Sequence, residues 1–428
     1  MNEKKPGFET LAIHAGSKPD PTTGARATPI FQTASFVFED VDHAASLFNL
    51  QVPGFIYSRL TNPTVAVLEE RLATLEGGRG ATATASGHAA QILALFPLMQ
   101  PGDEIVVATK LYGGSINQFS HAIKRFGWTA KFVEPDKAEN FRQAITPETR
   151  ALFIESLANP GGLVMDIAAI AQVARDAGVP LIVDNTLATP FLCRPFEWGA
   201  DIVVHSTTKF LSGNGTAIGG AVIDSGRFDW KKSGKYPSLS KPAPEYHGIV
   251  FAETFGDLAY TIHGHAIGLR DLGACQSPMN AFLTLCGIET LPLRMARHCE
   301  NTLAVAKHLE THPKVTWVSY AGLPKHPHYE LGRKYLPKGC GAVLTFGLKG
   351  GSAAGIKLVE SMELFSHLAN LGDLRSLIIH PSSTTHRQLT PEQQAAAGAG
   401  PEVVRLSVGL ESIDDILADL DQGLAAAG

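Results

Sequence analysis

The sequence predicts an α/β fold, in which helices cover a mainly parallel sheet and a smaller α+β domain follows. Two observations support this prediction. Short apolar runs that resemble buried strands alternate with stretches of helical periodicity between residues 104 and 205. The chain also has 428 residues, of which 44% are hydrophobic, and this length is too great for one simple core. We therefore expect a large α/β domain and a second, smaller domain.

The predicted elements of the large domain follow one another in a βαβ rhythm. The first helix begins after Asn62-Pro63, which is a stop-and-start signal for helices. Because apolar runs alternate with helical stretches, we predict mainly parallel pairing of the strands. The predicted order is helix 65–75, strand 104–108, helix 116–126, strand 130–133, strand 151–155, helix 167–177, strand 181–184 and strand 201–205.

An N-terminal arm and a second domain account for the remaining residues. Proline and glycine interrupt the first part of the chain, so we predict that residues 1–64 form an extended arm, which needs a surface to lie on. The large domain is expected to span residues 65–290, and residues 291–428 are expected to form the smaller α+β domain. The predicted elements of this second domain are a helix at 291–309, strands at 315–318 and 342–346 and an amphipathic helix at 412–426.

Composition and charge exclude several classes of function. Acidic and basic residues are interspersed at a net charge of −5, so the chain offers no basic face for nucleic acid. We expect no membrane segment and no export signal, because no apolar stretch is long enough for either. The five cysteines form no CxxC pair, and a reducing cytoplasm fits them best. His263 and His265 lack a further ligand at metal-binding spacing, so we expect no metal site.

Lys209 and Asp184 are the leading candidates for catalytic chemistry. Asp184 ends the apolar run 181–184 and Lys209 follows the run 201–205, so both are expected at the carboxyl ends of strands, where α/β sheets bind ligands. Pyridoxal phosphate requires these two groups: an amine that attaches to its aldehyde and a carboxylate that keeps its pyridine nitrogen protonated. Considered alone, the two residues are more often an ordinary buried aspartate and a surface lysine, because both types are common near strand ends.

Residues suited to phosphate binding occur in two other segments. Ser86-Gly87-His88 precedes an apolar helical run, and a helix that begins at Ser-Gly presents unpaired backbone N–H groups to an anion. Ser206 and Thr208 flank the lysine with hydroxyls that suit phosphate oxygens. A simple N-cap is the alternative for Ser86 taken alone.

Motifs along almost the whole chain resemble those of the pyridoxal-phosphate enzymes of cysteine and methionine metabolism. The matching motifs, in order, are Tyr57-Ser58-Arg59 with Asn62-Pro63-Thr64, Ser86-Gly87, Tyr112-Gly113-Gly114, Glu155 with Asn159-Pro160, Asp184, Ser206-Thr207-Thr208-Lys209, and the run from Arg405 to Glu411. Within this family the O-acetylhomoserine sulfhydrylase branch is the most similar, because of the glycine-rich run 213–220 and the long segment 228–273 that shorter relatives lack.

The resemblance implies fold type I of the pyridoxal-phosphate-dependent transferases and a role for each matching residue. Lys209 would attach the cofactor and move protons between substrate carbons, Asp184 would hold the proton of the pyridine nitrogen, and Tyr112 would stack on the ring and assist the leaving group. The other residues implied to bind the cofactor are Ser86, Gly87, His88, Asn159, Thr186, Ser206 and Thr208. The residues implied to bind substrate are Arg405, which would clamp the α-carboxylate, Asn370, which replaces a serine of several relatives, and Tyr57.

Tyr57 and Arg59 are implied to act across a subunit boundary. In the family this loop reaches the phosphate of the neighbouring subunit, and the planar fork of arginine suits that contact. A homodimer is therefore the smallest complete unit, and the family suggests a homotetramer.

The implied reaction is γ-replacement, in which O-acetyl-L-homoserine loses acetate and sulfide or methanethiol takes its place. The product is L-homocysteine or L-methionine. Three alternatives stay open: O-succinylhomoserine as the substrate, γ-elimination by a methionine γ-lyase, and a non-catalytic cofactor-binding protein. Lyases of that type carry cysteine where Gly114 stands and aspartate where Thr216 stands, and the non-catalytic alternative is disfavoured by Lys209, Asp184 and Arg405.

Overall fold

Two β-sheets organise the protein in the computed structural model, which describes residues 6–385, 387, 390, 392, 394 and 398–427. The strands of the larger sheet are β1 (Gly80–Thr84), β2 (Glu104–Ala108), β3 (Thr129–Val133), β4 (Thr149–Glu155), β5 (Leu181–Asp184), β6 (Ile202–His205) and β7 (Gly220–Asp224). They lie in the order β1-β7-β6-β5-β4-β2-β3. Only β7 pairs in antiparallel fashion, with β1 and β6. The predicted α/β fold with a mainly parallel sheet is confirmed, although β1 and β7 were not predicted.

Burial explains why the predicted runs form the central strands. Ile154, Val183 and Val203 are completely buried, as expected for a sheet with both faces covered. The helix Ile167–Ala177 begins at Asp166, whose side chain accepts a hydrogen bond from a backbone N–H, and it ends at a glycine with φ 65°. These two signals set the ends of the helix that precedes β5.

Helices connect the strands of the larger sheet and cover it. The α-helices are Pro63–Glu76, Gly87–Leu95, Gly113–Asn117, Ala138–Ala144, Ile167–Ala177, Thr189–Leu192, Pro237–Ser240, Phe251–Thr254, Ala259–His263, Arg270–Leu272 and Pro278–Glu289. Gln118–Ala122 and Gly264–Leu269 are π-helical, and 3₁₀ turns span Ile123–Phe126, Pro195–Trp198, Pro244–Tyr246 and Gly256–Leu258. The single helix predicted for residues 116–126 is therefore three consecutive segments of different pitch.

The smaller sheet follows a long helix, Leu291–Thr311. Its strands are β8 (Val315–Ser319), β9 (Val343–Leu348), β10 (Ser366–His367), β11 (Leu377–Ile379) and β12 (Val403–Ser407), in the order β10-β11-β12-β9-β8. The accompanying helices are Tyr329–Tyr335, Gly351–Ser361 and Ile413–Ala426, with a 3₁₀ turn at Pro381–Ser383. The predicted second α+β unit is present, whereas the domain boundaries at residues 64 and 290 stay predictions.

The N-terminal arm is less extended than the sequence suggested. It contains two helices, Phe8–His14 and Val41–Phe48. The second begins at Asp40, whose side chain accepts a hydrogen bond from the His43 N–H at 2.7 Å, a capping signal that the proline and glycine content obscured. In the part of the chain that the structure describes, we find no helix with the length and apolar character required to span a membrane.

Candidate active site

A cavity of about 240 Å³ lies between the carboxyl ends of β4, β5 and β6 and residues of the smaller sheet. The lining includes every predicted site residue except Tyr57 and Arg59. These residues are Ser86, Gly87, His88, Tyr112, Asn159, Asp184, Thr186, Ser206, Thr208, Lys209, Asn370 and Arg405. Residues far apart in sequence thus converge on one cavity, while the role of each stays a prediction.

Asp184 is the last residue of β5 and points its carboxylate into the cavity lining. Its Oδ1 accepts a hydrogen bond from the backbone N–H of Thr186 at 3.0 Å, and its Oδ2 accepts one from Gln91 at 3.4 Å. These two donors hold the carboxylate in one orientation. A cation placed in the cavity therefore meets a fixed anionic partner.

Lys209 projects into the cavity from the turn that follows β6. Its Nζ donates a hydrogen bond to Asn370 Oδ1 at 2.5 Å. Burial, reinforced by the nearby charge of Arg405, lowers the pKa of Lys209 to about 8. About a tenth of the amine is therefore unprotonated at pH 7, a far larger share than for an exposed lysine.

The helix Gly87–Leu95 and the loop after β6 meet at the wall of the cavity. The Ser86 hydroxyl caps this helix by accepting a hydrogen bond from the Ala89 N–H at 3.1 Å. A Cβ on Gly87 would lie 2.7 Å from Ser206 Cβ, so glycine keeps the helix N-terminus open. The Thr208 hydroxyl is nearby and exchanges hydrogen bonds with the backbone of Gly219. Ser86, Gly87, Ser206 and Thr208 therefore line the same cavity, and helix N-termini and hydroxyls of this kind suit an anion.

Arg405 reaches the cavity from the smaller sheet. The sequence suggested that it precedes a strand, but it lies in the middle of β12, because the apolar residues before it are also part of that strand. Its guanidinium donates to Asn159 Oδ1 at 3.2 Å and to the backbone carbonyl of Asn370 at 3.0 Å. Its Nε is buried and has no hydrogen-bond partner among the described residues. Burial lowers the pKa of Arg405 to about 10, and the site therefore favours an incoming carboxylate.

Tyr112 lies on the other side of the cavity, where its ring stacks on that of His88 with centroids 5.9 Å apart. The ring is 48% exposed, so its hydroxyl can reach a bound molecule. The backbone N–H of Tyr112 donates to Glu155 Oε1 at 2.6 Å, and the N–H of Asn159 donates to Glu155 Oε2 at 3.0 Å. Glu155 thus joins two predicted cofactor contacts through one buried carboxyl group.

Several residues of the cavity were not among the predicted site residues. Glu155 was noted only as part of a motif, and Gln91 and Ser115 were not singled out at all. Gln91 lies four residues after Gly87, on the same face of the helix, and this spacing was the signal that could have identified it. The remaining members of the lining are Leu157, Leu187, Ile218, Ala369, Leu371 and Thr385.

Tyr57 and Arg59 lie in a different cleft of the same chain, beside Gln276. The Arg59 guanidinium lies over the Tyr57 ring, 5.0 Å from its centroid. The Arg59 Nε is buried without a partner among the described residues, and the Tyr57 ring is 41% exposed. Within one chain, these residues do not meet Lys209.

The histidines of the segment 246–265 make protein contacts. His265 lies at hydrogen-bond distance from the Leu60 carbonyl, 2.8 Å, and from that of Ala81, 3.3 Å. His263 is buried against the Phe251 ring. Across the described ranges, we find no cluster of three or more His, Cys, Asp or Glu side chains arranged to hold a metal ion.

Comparisons with known proteins match nearly the whole chain to one family. The model of the family described as "Cys/Met metabolism PLP-dependent enzyme" matches residues 9–425. An O-acetyl-L-homoserine sulfhydrylase of Leptospira meyeri is 51% identical over 97% of this chain and 96% of its own length. A homocysteine synthase of Schizosaccharomyces pombe is also 51% identical, over 98% of each chain.

Solved structures are similar over the full length. A Campylobacter jejuni protein, described as an O-acetylhomoserine (thiol)-lyase with N'-pyridoxyl-lysine-5'-monophosphate, has a TM-score of 0.95 at 41% identity and covers 98% of this chain and 100% of its own. Cystathionine γ-synthase from Xanthomonas oryzae, described in complex with aminoacrylate and cysteine, has a TM-score of 0.85 at 33% identity and covers 99% of each chain.

Proposed function

The chain belongs to the family of Cys/Met metabolism PLP-dependent enzymes, and from this premise we propose that it replaces the acetate of O-acetyl-L-homoserine with sulfide to form L-homocysteine. The protein is a pyridoxal-phosphate-dependent enzyme. The observation that carries the proposed reaction is the convergence of Lys209, Asp184 and Arg405 on one cavity, since these supply an amine, an anion and a carboxylate clamp. Relatives that share about half of the sequence carry the same reaction in their names.

The residues of the cavity fit the cofactor. The unhindered N-terminus at Gly87, with the Ser206 and Thr208 hydroxyls, suits its phosphate, and Asp184 suits a protonated pyridine nitrogen. Lys209 is buried and has a lowered pKa, which suits covalent attachment to an aldehyde. When bound, pyridoxal phosphate supplies an electron sink that makes the substrate carbons acidic enough to lose protons.

The protein residues then bind the amino acid and move its protons. Arg405 binds the α-carboxylate, and its unpartnered Nε adds a donor for that purpose. Asn370, which accepts a hydrogen bond from Lys209, orients the amine beside the substrate. Lys209 removes a proton from Cα and then one from Cβ, and it returns one proton to each carbon after sulfur has added at Cγ. The Tyr112 hydroxyl faces the departing acetate. Tyr57 is assigned to the substrate pocket of the neighbouring subunit.

The lining favours an acetyl over a succinyl ester. In the described lining of the cavity, the lysine is Lys209 and the arginine is Arg405, and each already has an assigned role. A succinyl group would bring a second carboxylate, which would remain without a cationic partner at a cost of several kcal/mol if it were buried. An acetyl group brings no such charge and fits beside Leu157 and Leu187.

Replacement is favoured over γ-elimination by the glycine after Tyr112-Gly113. A Cβ on Gly114 would lie 2.4 Å from Cε1 of the Tyr112 ring, so the cysteine typical of the lyases would displace that ring from its present position. Glycine at this position supports the transferase reaction. Methanethiol is a second nucleophile of the same class and would give L-methionine.

A homo-oligomer with shared active sites accounts for the exposed apolar surface of the arm. Val37 is 97% exposed, Val41 83% and Phe48 57%, and these residues lie close in sequence to Tyr57. Covering this surface with a second copy would bring Arg59 to the neighbouring cavity. We assign the protein to a dimer of this kind, within a homotetramer, and to the reducing cytoplasm that suits its free cysteines.

The test is an assay of purified protein with pyridoxal phosphate, O-acetyl-L-homoserine and sulfide. Homocysteine and acetate are expected, with O-succinyl-L-homoserine turned over far more slowly. Release of 2-oxobutyrate and ammonia in the presence of sulfide would indicate γ-elimination instead, and no turnover of either ester would refute both reactions. Lys209→Ala is the control that removes the covalent attachment.

A further inference from the structure

A second cleft, of about 270 Å³, adjoins the active-site cavity. Its walls include Ile92, Leu93, Gly268, Leu269 and Leu272, so it is predominantly apolar. Part of it comes from the π-helix Gly264–Leu269, and π-helical turns are frequent at functional sites. This π-helix belongs to the long segment 228–273, for which the proposed reaction has so far provided no role.

His88 is the residue that the two spaces share, since it lines both the cleft and the active-site cavity. Gln118 holds its backbone by donating a hydrogen bond to the His88 carbonyl at 3.1 Å. Its ring stacks on Tyr112, and neither of its ring nitrogens hydrogen-bonds to a described residue. A molecule passing from the cleft into the cavity would therefore meet this imidazole next to Tyr112.

The chemistry of the cleft selects a small neutral molecule. Its described lining carries no Asp, Glu, Lys or Arg, so the carboxylate and ammonium groups of an amino acid would find no partner there. The close approach of Gly268 to Leu93 limits its width, because a Cβ on Gly268 would lie 2.3 Å from Leu93 Cδ1. Undissociated hydrogen sulfide is small, neutral and weakly hydrated, and it fits this environment.

We propose that the second cleft admits the sulfur nucleophile as hydrogen sulfide, and that the His88 imidazole takes its proton where the cleft opens into the active site. This inference rests on the proposed reaction. The H–S bond breaks as the proton passes to a ring nitrogen, and the sulfur electron pair forms the new bond to Cγ. The C–O electron pair leaves with acetate, and His88 then returns its proton to solvent. The net reaction gives homocysteine, acetate and one proton.

The groups that face His88 support its action as a base. Burial lowers the pKa of His88, Asp184 opposes this change and Lys209 reinforces it, so the ring is neutral at neutral pH. Tyr112 is the other titratable group packed against it. On the cleft side, the described residues contribute no charge. The imidazole is therefore ready to accept a proton when hydrogen sulfide arrives.

The first test is the pH profile of His88→Gln, which keeps a planar polar side chain but cannot act as a base. At about pH 6, where sulfide is mainly H₂S, kcat/KM for sulfide should fall by about 100-fold, the lower end of the range for a general base. The loss should shrink as pH rises, because hydrosulfide needs no base. A matched control, His121→Gln, changes an exposed histidine outside the site and should match the wild type at every pH. A loss that is equal at all pH values, or no loss, would overturn the role of His88.

The second test obstructs the cleft. Leu272→Trp should lower kcat/KM for sulfide, and more strongly for the larger methanethiol, with no change in KM for O-acetyl-L-homoserine. The control Leu293→Trp alters a side chain that is 76% exposed elsewhere. In crystals pressurised with xenon, the wild type should bind xenon in the cleft and Leu272→Trp should not. Unchanged sulfide kinetics, or no xenon in the wild-type cleft, would reject the route. The proposed reaction itself would be refuted by a different result, in which the wild-type enzyme releases no acetate from O-acetyl-L-homoserine.

Discussion

Arg405→Lys is the most direct test of how the substrate carboxylate is bound. It keeps the positive charge and removes the planar guanidinium that can donate two parallel hydrogen bonds. Arg405 is 9% exposed, and its guanidinium already uses two nitrogens on Asn159 and the Asn370 carbonyl. Its pKa of about 10 means that burial disfavours its charge by roughly 3 kcal/mol in the absence of substrate. A substrate carboxylate beside the guanidinium would stabilise its positive charge and offset part of this free energy. Substrate binding and the charge of Arg405 are therefore coupled.

The expected magnitude follows from the donors that are lost. A hydrogen bond to a charged group contributes about 1.5–3 kcal/mol, and lysine can replace at most one of the two parallel bonds of a bidentate pair. The loss of one bond corresponds to a fall of about 10- to 100-fold in kcat/KM for O-acetyl-L-homoserine. KM should carry most of this change, since the carboxylate takes no part in bond breaking.

The decisive assay compares O-acetyl-L-homoserine with its α-carboxamide analogue in the wild type and in Arg405→Lys. The wild type should strongly prefer the carboxylate, and the variant should lose most of that preference. Arg297→Lys, at an exposed surface pair with Glu300, is the matched control and should change neither substrate. If Arg405→Lys reduced turnover of both substrates by the same factor, its effect would be structural and the clamp would be refuted.

Three further predictions concern the cofactor and the subunit boundary. Lys209 has a pKa of about 8, so the apoprotein should capture pyridoxal phosphate covalently at a rate that increases as pH rises through about 8 and then levels off. Visible absorbance follows this rate. An increase centred near pH 10 would contradict the lowered pKa. Asp184→Asn should lower kcat by on the order of 100-fold while cofactor affinity, measured by fluorescence titration, changes far less, since the residues proposed to bind the phosphate are intact; parallel losses would show that Asp184 serves mainly to bind. Finally, Arg59→Ala and Lys209→Ala should each be inactive on their own. When equal amounts are refolded together, about half of the dimers carry one intact site, so the mixture should regain about a quarter of wild-type activity. A mixture that stays inactive would place Arg59 outside the neighbouring site.

The ends of several strands could be predicted because buried elements have a regular pattern of apolar residues in the sequence. The runs that became β2 and β5 and the helix Ile167–Ala177 were predicted to the residue, since their apolar side chains are buried on a fixed period and capping residues bound the helix. Asp184, the last residue of β5, and Lys209, which follows β6, were therefore assigned to the correct edge of the sheet. β7 is as long as β2 but was not predicted, because it continues directly from the glycine-rich run 213–220, whose composition is typical of a loop.

Contacts between distant segments could not be predicted from periodicity. The resemblance to known enzymes indicated Arg405, but its hydrogen bonds to Asn159 and Asn370 depend on how the two sheets pack. The same limit applies to Gln91, whose bond to Asp184 joins residues 93 positions apart. His88 was predicted only as a backbone contact, because its position between two cavities is a property of the folded surface.

Glu155 and Asp184 are two carboxyl groups that lie beside the same cavity and affect each other. Burial and the nearby Asp184 raise the pKa of Glu155 well above its usual range, so two adjacent negative charges are avoided. The two oxygens of Glu155 accept the backbone N–H groups of Tyr112 and Asn159, and Asp184 is the carboxyl group that remains to face the cofactor. In the proposed function, a protonated pyridine nitrogen would pair with Asp184, and the substrate carboxylate would pair with Arg405. A cavity balanced in this way gains nothing from binding a charged nucleophile, which is a physical reason for sulfur to enter it as neutral hydrogen sulfide and to lose its proton only beside His88.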